Sequence, residues 1–221
     1  MEILNIKDKD QSYYQHERRE MMAFVPLDAK HILEIGCGNG AFGKLIKERQ
    51  NCIYWGIEPE KKFATIAQKN IDKFFNNTLD KCDGLPNNYF DCIIFNDVLE
   101  HLTDPFLTLE NCKSLLVKNG YIVSSIPNMR HIPYLYRLVY KGEFEYEDAG
   151  IMDNTHLRFF TSKSIINLFS KLGFKIIKHE GINRFVPKKF SIPFKILSFL
   201  RITKFEDTSF QQFATQAQLN D

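Results

Sequence analysis

No apolar run in the 221 residues reaches 18, so no segment reads as a membrane span. There is no Cys-x-x-Cys pair either. The five cysteines, at 37, 52, 82, 92 and 112, are odd in number and scattered, several of them inside apolar runs. That pattern indicates reduced core thiols in a cytoplasmic protein rather than bridges or metal ligands. With 29 basic and 27 acidic residues the net charge is only +2, too small for a dedicated nucleic-acid binder. The amino-terminal MEILNIKDKD is too charged for a secretory leader. Repeats and low-complexity tracts are missing. A 44% hydrophobic and 25% charged composition is that of an ordinary globular protein, and the length suits one domain over 1–221.

Glycine is not abundant, yet four of the 11 glycines, Gly36, Gly38, Gly40 and Gly43, fall within eight residues. They follow a short apolar run, His31–Gly36, that suits a buried strand, and they precede helical spacing over Ala41–Gln50. The pattern then alternates. Strands are expected at Cys52–Ile57, Lys73–Asn76, Phe90–Asn96, Tyr121–Ile126, Phe174–His179 and Gln211–Leu219. Helices are expected at Lys61–Ile71, Pro105–Val117 (closed by Asn119-Gly120), Ser162–Leu172 and Lys189–Leu200. Residues 128–160 lack a clear period and read as an insertion with a short helix near Pro133–Tyr140. Alternating strands and helices imply a parallel sheet covered on both faces, with ligands at the carboxyl ends of its strands.

Glycines after the first strand permit a tight turn and close approach of a ligand to the backbone. Gly38–Gly43 even satisfies the dinucleotide pattern G-x-G-x-x-G. However, Gly36 is the residue that follows the strand, and Glu34 places a carboxylate beside the loop, which suits a cationic ligand better than a pyrophosphate. Glu58 ends the second strand 22 residues after Gly36, where an acid accepts ribose hydroxyls.

ILEIGCGNGAFG and GIEPE resemble the first two motifs of the class I S-adenosylmethionine-dependent methyltransferases. FDCIIFNDVLEHLTDP resembles the fourth-strand motif of the subgroup that includes ubiquinone-biosynthesis methyltransferases. The resemblance implies an α/β, Rossmann-like, seven-stranded and mostly parallel sheet of order 3-2-1-4-5-7-6, flanked by helices. It implies that Gly36, Cys37 and Gly38 approach the methionine part of the cofactor and Glu34 its ammonium. Glu58 would hold the ribose hydroxyls, and Asn96 and Asp97 would line the sulfonium side. Residues 1–30 look like an amino-terminal cap in which Arg18 pairs with the cofactor carboxylate, as a guanidinium allows, and Tyr14 closes over the site. One departure concerns adenine: where the family usually has an Asp after the third strand, Asn77 or Thr78 stands here.

SSIPNMRHIPYLYRLVYKGEFEYEDAGIMDNTHLRFFT is similar to methyltransferases encoded with bacterial surface-polysaccharide genes. The insertion brings His131 and His156, either of which has a side chain suited to removing a hydroxyl proton near neutrality. Arg130 and Arg158 would hold an anionic substrate, and Tyr134 would stack on a sugar ring. His101 is read as structural. No carboxylate–histidine cluster at metal spacing stands out, and methyl transfer to a positioned nucleophile requires no metal, so none is expected.

Finally, residues 183–204, within a connection over 183–209, carry six basic residues and no acid, interleaved with apolar ones. Such a segment either packs beside the sheet with its basic face in water or touches an anionic membrane surface. The expected activity is O-methylation of a sugar or sugar-linked intermediate in surface-glycan biosynthesis, with S-adenosyl-L-homocysteine as by-product. The alternatives are a small aromatic or quinone-like acceptor, or a cofactor-binding subunit without activity.

Overall fold

The computed structural model describes residues 17–191 and 205–220. Seven strands form one sheet of order β3-β2-β1-β4-β5-β7-β6. They are β1 (His31–Ile35), β2 (Ile53–Ile57), β3 (Lys73–Phe75), β4 (Phe90–Asn96), β5 (Leu116–Pro127), β6 (Phe174–Arg184) and β7 (Phe210–Leu219). Pairing is parallel from β3 through β5, while β7 runs antiparallel to both β5 and β6. The helices are α1 (Ala41–Arg49), α2 (Ala64–Asn70), α3 (Pro105–Cys112), α4 (Ile132–Tyr136) and α5 (Ser162–Lys171). The expected architecture and strand order are those observed.

Side chains alternate across a strand, so β1 and β4 feed two cores. Leu33, Ile35, Ile93 and Phe95 pack on one face with Leu109 of α3 and Ile165 and Phe169 of α5. Ile32, Cys92 and Ile94 pack on the other with Phe42 and Ile46 of α1 and with Met21 and Phe24. The cysteines are all unbridged, and burial raises the thiol pKa of Cys92 and of Cys112, the latter to about 12. Among the described residues, no helix is long and apolar enough to cross a membrane.

Several boundaries differ from the expected ones. α3 stops at Cys112 rather than at Val117, because Leu115 and Leu116 are buried at the start of β5 instead of on a helix face. Asn119-Gly120 does not close that helix. It lies within β5, in an irregular stretch where the pairing with β4 jumps from Phe90–Leu116 to Cys92–Tyr121, and Asn119 takes a left-handed φ of 59°. β6 continues to Arg184, five residues past His179, because β7 pairs with it as far as Phe210. The second expected helix opens with a 3-10 turn, Lys61–Phe63. The insertion helix shifts to Ile132–Tyr136 and runs on as a π-helical turn, Arg137–Lys141. Of the expected Lys189–Leu200 helix, the described part contains a 3-10 turn at Lys188–Phe190; the rest lies outside the described residues, as does Tyr14.

Candidate active site at the carboxyl ends of the strands

The turn between β1 and α1 depends on two glycines. Gly36 has φ +72°, and a Cβ there would sit 2.5 Å from Cγ2 of Val98. Gly43 lets α1 approach β2, since a Cβ would meet the Tyr54 ring at 2.6 Å. The loop therefore lies flat against the sheet edge, with its backbone facing a cleft of about 1640 Å³. The ends of β1, β2 and β4, the loop after β3, the Leu99–His101 turn and part of the insertion line this cleft.

Glu34 is buried at the floor. Its Oε2 accepts from the Tyr54 hydroxyl at 3.0 Å and its Oε1 from Asn96 Nδ2 at 3.0 Å. Burial pushes its pKa up to about 7, against the lowering effect of those two hydrogen bonds. Asn96 Oδ1 is buried and has no hydrogen-bond partner among the described residues. Glu58 takes two backbone N–H donors, Gly38 at 3.0 Å and Glu60 at 2.9 Å, and burial raises its pKa. Each of its oxygens keeps a second lone pair for a ligand hydroxyl. Burial also raises the Cys37 thiol, which stays protonated.

Arg18, in a left-handed conformation, forms an ion pair with Asp97 and donates to Gln212 Oε1 at 3.1 Å. Asp97 also accepts from Ser125 Oγ at 2.8 Å and Gln212 Nε2 at 2.9 Å. Asn77 Oδ1 caps the Thr78 N–H at 3.0 Å, so both residues sit on the cleft wall after β3. Arg18, Glu34, Gly36, Cys37, Gly38, Glu58, Asn77, Thr78, Asn96 and Asp97 thus all line one cleft.

An S-adenosylmethionine molecule needs an acid for its ribose, a partner for its ammonium and a cation for its carboxylate. Glu58, the Glu34–Asn96 pair with its unpartnered Oδ1, and Arg18 supply those groups in that cleft, so the residues present fit the cofactor.

The insertion behaves differently. His156 reaches the cleft wall; its Nδ1 donates to the Ile151 carbonyl at 3.0 Å, and its Nε2 lies 4.0 Å from Glu100 Oε1. His131 is absent from the lining. It is buried, its Nε2 donates to the Phe185 carbonyl at 2.8 Å, and burial lowers its pKa. Arg130 pairs with Asp207 at 3.1 Å, Tyr134 donates to Glu147 at 3.1 Å, and Arg158 donates to the Thr103 carbonyl; none of the three lines the cleft.

In their place the fold brings Glu100, His101, Gln212 and Arg184 to the wall. Contrary to the sequence-based expectation, a carboxylate–histidine cluster does form: ligand atoms of Glu100, His101 and His156 lie within 4.8 Å of one another. The signal for it was LEH directly after β4. Its third member lies 55 residues away and is recognisable only once the chain folds.

A family model described as a methyltransferase domain matches residues 8–179. A ubiquinone biosynthesis O-methyltransferase of Coxiella burnetii is 26% identical over 120 residues, covering 52% of this chain and 51% of that protein. One of Cereibacter sphaeroides is 23% identical over 171 residues, 74% and 68% of the two chains. The chain thus spans about half the length of the first of these curated relatives. Among solved structures, a SAM-dependent methyltransferase from Archaeoglobus fulgidus superposes with a TM-score of 0.66 at 21% identity, covering 94% and 93% of the chains. A Burkholderia thailandensis 1,6-didemethyltoxoflavin-N1-methyltransferase with bound S-adenosylhomocysteine gives 0.61 at 16% identity, covering 96% and 82%. With the family model spanning most of its length and the glycine loop, acids and strand order all in place, the chain belongs to the methyltransferase domain family.

Proposed function

We propose that the protein methylates a hydroxyl group of a small acceptor, using S-adenosylmethionine. The observation that carries this reading is the placing of Glu100, His101 and His156 on the same cleft wall system as Glu34, Asn96 and Glu58. Bound S-adenosylmethionine supplies a sulfonium methyl that is already electrophilic. The chain's own task is then to hold, align and deprotonate.

Glu58 fixes the nucleoside end, and the Gly36–Gly38 backbone lies along the methionine part. Glu34, Asn96 and Arg18 fix the amino-acid end, with Arg18 exchanging its Asp97 partner for the cofactor carboxylate. The acceptor enters beside the Leu99–His101 turn, where the His156 imidazole takes its proton and the nearby Glu100 carboxylate stabilises the resulting cation. Alignment of oxygen and methyl supplies much of the rate. His131 and Arg130 act at one remove, by holding the insertion to the chain around Phe185 and Asp207.

Two acceptor classes remain. The PN-x-RH and D-x-THLRFFT stretches support a sugar or sugar-linked acceptor in surface-glycan biosynthesis. The names of the curated relatives support a small aromatic of the ubiquinone-precursor type. Incubation with methyl-labelled S-adenosylmethionine and panels of nucleotide sugars, sugar phosphates and polyphenols decides between them. Label transferred to none of these hydroxyl panels, from a preparation that binds S-adenosylhomocysteine, overturns the proposal. The proposal includes a cytoplasmic location and a contact with an anionic membrane surface through 183–204; flotation with anionic liposomes checks the latter.

A further inference from the structure

We infer that Arg184, with Phe185 beside it, forms a subsite for an acidic group on the acceptor, a phosphate or a carboxylate. The inference deepens the methylation reading just proposed and rests on it for the acceptor's place in the cleft. Its own support comes from the end of β6.

Charge on the cleft wall is unevenly placed. Acids dominate, with Glu34, Glu58, Asp80, Asp83, Asp97 and Asp104 among them, and the permanent cations of the lining are Arg18 and Arg184. Arg18 is engaged. It pairs with Asp97, lies 3.6 Å from Glu20 Oε1, and is the cation that the cofactor carboxylate requires. Arg184 is not engaged in this way. Among the described residues its guanidinium has neither an ion pair nor a hydrogen bond, and its Cζ lies 5.9 Å from the centroid of the Phe210 ring. An acidic wall disfavours an anion except near that guanidinium, so Arg184 sets which way round an anionic acceptor enters.

The position of Arg184 is fixed by its neighbours. It ends β6 and stands opposite Phe210 in the antiparallel pairing with β7. Gly181 allows this arrangement. A Cβ there would lie 2.2 Å from Cγ of Phe210, so only glycine leaves the ring room against β6. The ring then supports the guanidinium as a cation–π partner. Phe185 is pinned on both sides: its N–H donates to the Ser209 carbonyl at 2.8 Å, and its own carbonyl accepts from His131 Nε2 at 2.8 Å. Asn183, in a left-handed conformation with φ 54°, donates to Gln212 Oε1 at 2.7 Å. Gln212 also bonds Arg18 and Asp97, which joins the subsite to the amino-acid end of the cofactor region.

Distance limits the shape of the acceptor. β5 and β7 lie between β4, which ends at Asn96, and β6. Three strand spacings are roughly 14 Å, and the arginine side chain spans part of that distance. The remainder matches one sugar or aromatic ring, with its reacting hydroxyl at the sulfonium and its acidic group on the guanidinium. Phe185 is 53% exposed and lines the cleft at that end, an apolar face for the ring. The planar guanidinium offers two parallel N–H donors to either oxyanion. The role expected of Arg130 and Arg158, neither of which lines the cleft, thus passes to Arg184.

Calorimetry on the full chain saturated with S-adenosylhomocysteine tests the subsite without requiring turnover. The probes are pyrophosphate, a panel of hexose phosphates with the parent hexoses, and protocatechuate with catechol. At least one anionic probe should bind on the order of 10-fold tighter than its neutral counterpart. Arg184→Gln should abolish that preference, and Arg184→Lys should keep part of it. S-adenosylhomocysteine affinity, measured on the same samples, should be unchanged and shows that each variant is folded. Anionic probes that bind no tighter than neutral ones, or a preference that Arg184→Gln retains in full, overturn the subsite. A preference lost in Arg184→Gln, with no acceptor methylated, removes the methylation reading and leaves the subsite standing. Methyl transfer with equal KM for charged and neutral acceptors in both proteins does the reverse.

Discussion

Asn96 Nδ2 and Glu34 Oε1, 3.0 Å apart, tie the carboxyl ends of β4 and β1 across the floor of the cleft. The bond holds one oxygen of a carboxyl that burial has moved to about pH 7, where the arrival of a cationic ligand decides its charge. A cofactor ammonium favours the ionised form. Affinity for S-adenosylhomocysteine should therefore rise with pH up to about 7 and then level off. Calorimetry across pH 5.5–8.5 measures this, and Glu34→Gln should remove the slope; a variant that keeps it would refute the assignment.

Stability carries the opposite signature of the same group. Glu34 has a raised folded pKa, so the native state holds an extra proton between about pH 4.5 and 7, and its contribution to stability falls as pH rises through that window. By pH 7 the ionisation cost is about 3 kcal/mol. His179, wedged between Ser162 and Thr215 and stacked on Phe213, is lowered to about 4, so its contribution is full above pH 6.5 and is lost as pH falls toward 4. The two slopes oppose each other. Denaturant melts should show Glu34→Gln steepening the loss of stability in acid and His179→Asn reversing it; unaltered profiles in both variants would contradict this account.

Glu58→Ala leaves the Gly38 and Glu60 N–H groups without their carboxylate and, on the proposed role of Glu58, removes the acceptor of the ribose hydroxyls. Losing hydrogen bonds to a charged group costs roughly 1.5–3 kcal/mol each, so cofactor affinity should fall by on the order of 10- to 100-fold or more. Isothermal titration is the measurement, and unchanged affinity would remove Glu58 from the site.

Gly36→Ala forces a side chain into a left-handed φ and against Val98. Strain and overpacking together should cost about 2–4 kcal/mol in chemical unfolding. Val98→Ala in the same chain should recover part of this but not the φ penalty. Complete rescue would show that the close contact alone had mattered.

His131 and His156 should part company in kinetics. His131→Ala breaks a buried bond to Phe185 and should lower Tm by roughly 4–8 °C, the effect of a loss of about 2 kcal/mol, while kcat of the surviving folded enzyme holds. His156→Asn should lower kcat with S-adenosylhomocysteine affinity intact. If His131→Ala depresses kcat at full stability, the roles are reversed.

The strand order and the residues gathered at the strand ends could be read from the sequence because they are local. β4 reads as Phe90–Asn96 from its apolar run, and Glu34, Gly36 and Glu58 sit at the strand ends where such a sheet places ligands. The expected helix Pro105–Val117 runs past α3 for a related reason: Leu115 and Leu116 continue its helical spacing, although their burial belongs to the start of β5. The insertion is where locality fails. His131 and His156 look alike in sequence, but only contacts 54 to 56 residues away, with Phe185 and with Glu100 and His101, separate a bracing histidine from one facing the cleft.

The paired N–H donors of Leu157 and Arg158 on the Glu100 carbonyl have one more consequence, for protein engineering. The end of the insertion is docked on the turn that follows β4, so the two form one packed unit. A chimera that imports 128–160 from a relative but keeps a foreign turn after β4 would lose the docking point, while one that transplants both pieces together would keep it.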